Sequence, residues 1–120
     1  MSKKVLIVDD EDQDRKGMGI ALQREGFSDL QFASSAEEAV NIAKTFIPDV
    51  TVIDVVLKGC DGFDVCKQLK ALPQIKTKVL IITGHLDAID VKKARASGAD
   101  EIIPKVPGFA NIAKTIRNLK

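Results

Sequence analysis

The sequence is short of the residues that mark several common kinds of protein. It has two cysteines, Cys60 and Cys66, too few for a disulfide framework and without metal-ligand spacing, so both read as reduced thiols with a packing role. It has one histidine, His85, and no second His or Cys to support a metal role, which leaves His85 a bystander or a modulator of its loop. Neither sign of charge is in excess. Eighteen basic residues face 17 acidic ones, so nothing electrostatic argues for direct nucleic-acid binding or for an anionic membrane surface. Apolar runs stop after a handful of residues, far short of the roughly 20 that a membrane helix requires. The N-terminal MSKK leads into a strand and acids, not into a signal-peptide core, so the expected location is cytoplasmic. Long repeats, linkers and low-complexity segments are also missing, and 120 residues is an ordinary length for one domain, expected over 1–120.

What is present is a regular alternation of strand-like and helix-like stretches. KVLIV (Lys4 to Val8) predicts a strand, and Gln13 to Glu25 a helix that stops at Gly26. Leu30 to Ala33 predicts a short alternating strand; Ser35 then stands as N-cap with Glu38 three residues on, a capping box, before a helical stripe that Pro48 ends. VTVIDVV (Val50 to Val56) predicts the third strand, Phe63 to Leu72 a helix closed by Pro73, and KVLIIT (Lys78 to Thr83) the fourth strand. Asp87 to Ser97 predicts a helix with Gly98 as its stop, Glu101 to Pro104 a last strand, and Phe109, Ile112, Ala113 and Ile116 the stripe of a last helix.

Five strand-helix cycles imply an α/β protein with a parallel sheet and right-handed crossovers. The first, third and fourth strands are continuous Val/Ile/Leu, the mark of burial on both faces. The second alternates and the fifth ends in Pro104, so these two belong at the edges. The expected architecture is a flavodoxin-like (βα)5 three-layer sandwich with strand order 2-1-3-4-5, which puts the ligand crevice at the carboxyl ends of the strands.

The residues at those ends are Asp9 and Asp10 after the first strand, Asp54 in the third, Thr83 after the fourth and Lys105 just past the fifth. Asp54 interrupts an apolar run, where an uncompensated charge is costly, and so requires a cation. Three carboxylates beside a hydroxyl and an ammonium suit Mg²⁺, with a phosphoryl group for Lys105 and Thr83 to contact. Glu11, Asp12 and Asp14 read as solvated first-turn acids favoured by the helix dipole. An EF-hand loop starting at Asp10 fails, because Arg15 replaces the required glycine and Ala21 the closing glutamate.

The acidic pair, the lone Asp54, Asp61-Gly62, Thr83-Gly84 and GADEIIPK leading to Lys105 together resemble the receiver domain of two-component response regulators, over essentially the whole chain. The resemblance implies that Asp54 accepts a phosphoryl group from a sensor histidine kinase or phosphotransfer protein. It also implies that Asp9, Asp10, Asp54 and the Val56 backbone carbonyl hold Mg²⁺, that Lys105 pairs with the phosphoryl oxygens and that the Thr83 hydroxyl moves toward them. Three residues depart from the family pattern: Ile102 where receivers carry Tyr or Phe, Lys58 in place of a Pro, and Val106 between Lys105 and Pro107. A cis bond at Lys105–Val106 would cost on the order of 3 kcal/mol, so a trans bond is expected there.

The partner face is expected on the fourth helix, fifth strand and fifth helix, with Lys92, Lys93, Arg95 and Arg117 as polar contacts, in a monomer or weak homodimer. Chemistry limited to self-phosphorylation and autodephosphorylation is expected, not turnover. The rival readings are a pseudo-receiver that only binds protein and a small Mg²⁺-dependent phosphohydrolase. A flavin module lacks its phosphate loop after the first strand. The chain ends with its fifth helix, as a stand-alone regulator or an excised receiver would.

Overall fold

The computed structural model describes residues 3–119. In chain order the elements are β1 (Lys4–Val8), α1 (Asp12–Arg24), β2 (Asp29–Ala33), α2 (Ala36–Phe46), β3 (Val50–Asp54), β4 (Val56–Leu57), β5 (Cys60–Asp61) and α3 (Gly62–Lys70). β6 (Lys78–Thr83), α4 (Ala88–Ser97), β7 (Glu101–Pro104), a 3-10 turn (Pro107–Phe109) and α5 (Ile112–Asn118) complete the chain. The main sheet is parallel, in the order β2-β1-β3-β6-β7, which is the 2-1-3-4-5 order expected once the β4-β5 hairpin is set aside.

Because side chains alternate across a strand, the inner strands feed two separate apolar layers. Leu6, Val8, Ile53, Val79 and Ile81 pack with Ala39, Ala43, Val65, Cys66, Leu69 and Ala94 of α2, α3 and α4. Val5, Ile7, Val50, Val52, Leu80 and Ile82 face the other way, onto Met18 and Leu22 of α1 and Ile112, Ala113 and Ile116 of α5. β2 and β7 lie at the edges and are only partly covered. The result is a three-layer α/β sandwich with the carboxyl ends of the strands at one rim.

Local chemistry sets the helix ends. Ser35 caps α2 by accepting the Glu38 N–H at 3.2 Å, but the Glu38 carboxylate reaches back to the Ser34 N–H at 2.7 Å, one residue beyond the expected capping box. Asp61 and Asp87 cap α3 and α4 in the same way through the N–H groups of Asp64 and Asp90. Gly98 closes α4 with φ of 90°, a left-handed value that glycine adopts without strain.

The structure corrects several expectations. β3 ends at Asp54 and does not run to Val56; Val56 is 74% exposed and turns into the hairpin through Gly59. α3 stops at Lys70, and Phe109 belongs to the 3-10 turn before α5, its ring against Gly17 of α1. Lys105–Val106 is trans as expected, and Val106–Pro107 is trans as well. Cys66 is buried and donates to the Ser97 carbonyl, and Cys60 is half-buried, both as free thiols. Among the described residues no helix is long and apolar enough to cross a membrane.

Candidate functional site

Asp9, Asp10 and Asp54 meet at the rim because β1 and β3 are neighbours in the sheet, paired from Val5↔Val50 to Val8↔Ile53. One carboxylate oxygen from each lies within 4.8 Å of the others. Asp9 is fully buried: its Oδ1 accepts the Glu11 N–H at 2.9 Å, whereas its Oδ2 is buried with no hydrogen-bond partner. Burial pushes the Asp9 carboxyl up to about 6, with the Asp54 charge adding to the rise and the Glu11 N–H and Lys105 opposing it. A buried carboxylate oxygen that accepts no hydrogen bond and faces two more acids is a configuration that a hard divalent cation relieves, so these residues fit a metal.

Asp54 is 6% exposed, and its two oxygens are used differently. Oδ1 accepts the Val56 N–H at 3.3 Å, while Oδ2 accepts from Lys105 Nζ at 3.1 Å. Lys105 arrives from β7, whose pairing to β6 runs as far as Thr83↔Pro104. Its ammonium also donates to Asp14 Oδ2 at 2.8 Å and lies 3.8 Å from Asp9 Oδ2. Burial alone would lower the Lys105 pKa, but the bonds to Asp14 and Asp54 outweigh it and hold the group above the ordinary lysine range. Thr83 is buried at the end of β6, on the same rim, and its hydroxyl is committed to the next loop. It accepts the His85 N–H at 3.2 Å, and its oxygen lies 3.2 Å from the His85 carbonyl and 3.4 Å from Asp90 Oδ2 on α4.

Three features go beyond the expected site residues, two of them without a signal in the sequence. Asp14, expected to be a solvated acid, carries the shortest contact to Lys105. Lys58 contributes through its backbone: its N–H donates to Asp10 Oδ2 at 2.9 Å, a bond that a proline at this position could not make. Gly62, which stands in the sequence as half of an Asp-Gly pair, is needed because a Cβ there would sit 2.2 Å from the Asp54 carbonyl oxygen. Its N–H is bonded to the Val55 carbonyl at 2.7 Å, which brings the start of α3 directly under the end of β3. A signal for Gly62 does exist in the sequence, since glycine at a helix start next to a strand end marks close backbone approach.

An acid cluster, a lysine and a strand-end hydroxyl at the switch point of a doubly wound parallel sheet define a protein of the phosphoacceptor type. The chain matches the response regulator receiver domain family over residues 5–117 and belongs to that family. It is 37% identical over 105 residues to the alkaline phosphatase synthesis transcriptional regulatory protein PhoP of Bacillus subtilis, covering 88% of this chain and 43% of PhoP. It is 33% identical over 101 residues to the transcriptional regulatory protein AfsQ1 of Streptomyces coelicolor, covering 84% of this chain and 44% of AfsQ1. The chain thus spans less than half the length of these curated relatives. Among solved structures, the chemotaxis protein CheY4 of Vibrio cholerae superimposes with a TM-score of 0.92 at 26% identity over 100% of both chains. The BeF3-activated receiver domain of DrrB of Thermotoga maritima gives a TM-score of 0.82 at 25% identity, covering 98% of this chain and 96% of that one. The chain therefore has the phosphoacceptor function of a receiver domain, with Asp9, Asp10 and Asp54 as its acid cluster. The chemistry of that family is self-phosphorylation and its reversal.

Proposed function

We propose that Asp54 is the phosphoacceptor of a two-component phosphorelay. Its carboxylate oxygen forms a bond to phosphorus as the bond from phosphorus to the donor breaks, and the donor's leaving group departs with that electron pair. The donor is a sensor histidine kinase or a phosphotransfer protein. Asp9, Asp10, Asp54 and the Val56 carbonyl would hold Mg²⁺, which supplies neutralisation of the charge that gathers around the phosphoryl oxygens. Lys105 follows the phosphoryl oxygens from its present place on Asp54, and Thr83 gives up its loop contacts to donate to them. The observation that carries this reading is the pairing of a buried strand-end carboxylate with Lys105 at 3.1 Å, beside an Asp9 oxygen with no hydrogen-bond partner.

The reading extends to the setting. The unit over 1–120 acts as one cytoplasmic receiver, monomeric or weakly dimeric, without direct nucleic-acid or membrane contact. Its downstream protein partner meets α4, β7 and α5. Lys92 and Lys93 lie in the middle of α4 and Arg95 in its last turn, and all three are exposed and suited to that role. Arg117 is half exposed, with its guanidinium bound to the Glu25 carboxylate at 2.8 Å and lying over the Phe27 ring, so it would meet such a partner from the α1 side of α5.

Incubation with Mg²⁺ and acetyl phosphate, followed by intact-mass measurement, should show one labile phosphoryl group, absent in Asp54→Asn. An unchanged mass with metal binding confirmed would convert the protein to a pseudo-receiver. Continuous release of phosphate in excess of protein would make it a phosphohydrolase.

A further inference from the structure

Lys105 is shared between two carboxylates that pull in different directions. It donates to Asp14 at 2.8 Å and to Asp54 at 3.1 Å, and the Asp14 bond joins residues 91 positions apart, tying the first turn of α1 to the segment after β7. Both partners are largely shielded, the lysine 23% and Asp14 33% exposed at their side chains, so the ion pair is better protected from screening than a surface pair. An ammonium has three donors. Two are spent here, one of them on a carboxylate with no place in the acid cluster, since the residues grouped for a metal are Asp9, Asp10 and Asp54.

We propose that Asp14 is a positioning residue for Lys105, a competing carboxylate that draws the ammonium toward α1 and so weakens the grip of the site on a phosphoryl group at Asp54. This rests on Asp54 being the phosphoacceptor. A phosphoryl group brings new acceptor oxygens to the Asp54 side of the lysine, and each approach of the ammonium to them is resisted by the charge-assisted bond to Asp14. Asp14 thus tunes the site toward a short-lived phosphoryl state.

The test is a beryllofluoride titration in saturating Mg²⁺, using the full chain, wild type against Asp14→Asn and Asp14→Glu. Asn keeps the shape and removes the charge; Glu keeps the charge and adds one methylene. Asp14→Asn should bind beryllofluoride about tenfold tighter, the order expected when one charge beside a partly exposed ammonium is lost. Its affinity for Mg²⁺ alone should stay level or fall, because a nearby negative charge has gone. Asp14→Glu should behave as wild type. In parallel, the ¹⁵Nζ resonance of Lys105 should differ between wild type and Asp14→Asn before addition of beryllofluoride and converge after it. Equal or weaker beryllofluoride binding by a folded Asp14→Asn would overturn the proposal, as would a Lys105 resonance in the wild type that does not move on binding, which decides the matter should the variant not fold. Wild type that binds Mg²⁺ but no beryllofluoride would overturn the phosphoacceptor reading itself.

Discussion

Replacing Asp9 by asparagine should stabilise the metal-free protein and at the same time abolish its response to Mg²⁺. The Asp9 carboxyl is raised from 3.8 to about 6, by burial first and then by the neighbouring Asp54 charge. At about 1.4 kcal/mol per tenfold, that rise places ~3 kcal/mol of destabilisation on the ionised form. The native state binds the extra proton between pH 3.8 and about 6, so stability falls as pH rises through that window and stays lower above it. Asparagine retains an oxygen for the Glu11 N–H, which Asp9 Oδ1 accepts at 2.9 Å, and replaces the orphan Oδ2 with a donor. Urea denaturation in EDTA at pH 7 should therefore show Asp9→Asn more stable by about 2 kcal/mol, allowing for imperfect amide pairing. The advantage should shrink toward zero near pH 4. Metal at a hundredfold excess over its dissociation constant should return ~2.7 kcal/mol to the wild type and little to the variant, reversing the order. A variant no more stable than wild type at pH 7 without metal, or an advantage that does not depend on pH, would refute the reasoning.

Gly62→Ala should lose at least ~2 kcal/mol in denaturant and bind Mg²⁺ more weakly, because a Cβ 2.2 Å from the Asp54 carbonyl must push the strand end that carries Asp54; Gly59→Ala, with open space around it but φ of +81°, serves as the control for turn strain alone. Unaltered metal binding in Gly62→Ala would show that the close approach does not set the site. Hydrogen exchange with and without beryllofluoride should change protection through residues 85–98, since Thr83 contacts both the His85 backbone and Asp90 of α4. Changes confined to the loops around Asp9 and Asp54 would refute that route.

Most of the fold and the main part of the site are legible in the order of the amino acids. Continuous Val/Ile/Leu runs identify the inner strands, alternation and Pro104 the edges, and from the strand order the approach of Asp9, Asp10, Asp54 and Lys105 follows, whereas the Thr83 hydroxyl is turned to His85 and Asp90. The parts that are not legible are tertiary. First-turn acids on a helix are ordinarily solvated, and only the folded chain reveals that Asp14 lies 2.8 Å from a lysine 91 residues away. Val55 and Val56 extend the β3 pattern by composition, yet the Gly62 N–H takes the Val55 carbonyl and draws the chain out of the sheet. The apolar stripe of α5 fixes its inward face but not which helix flanks it, so the engagement of Arg117 with Glu25 leaves no trace in the local pattern.

The two helices beside β7 are fastened very differently. α5 buries Ile112, Ala113 and Ile116 and is bolted to α1 through Arg117, Glu25 and Phe27, whereas α4 buries only Ala94 and Ser97 and leaves Ile89 65% exposed. Loss of the Thr83 contact to Asp90 therefore acts on a loose lever beside a fixed post. A partner gripping both helices would sense the change as an altered distance between them, with α5 as the fulcrum, and no ring at position 102 is needed to register the stroke.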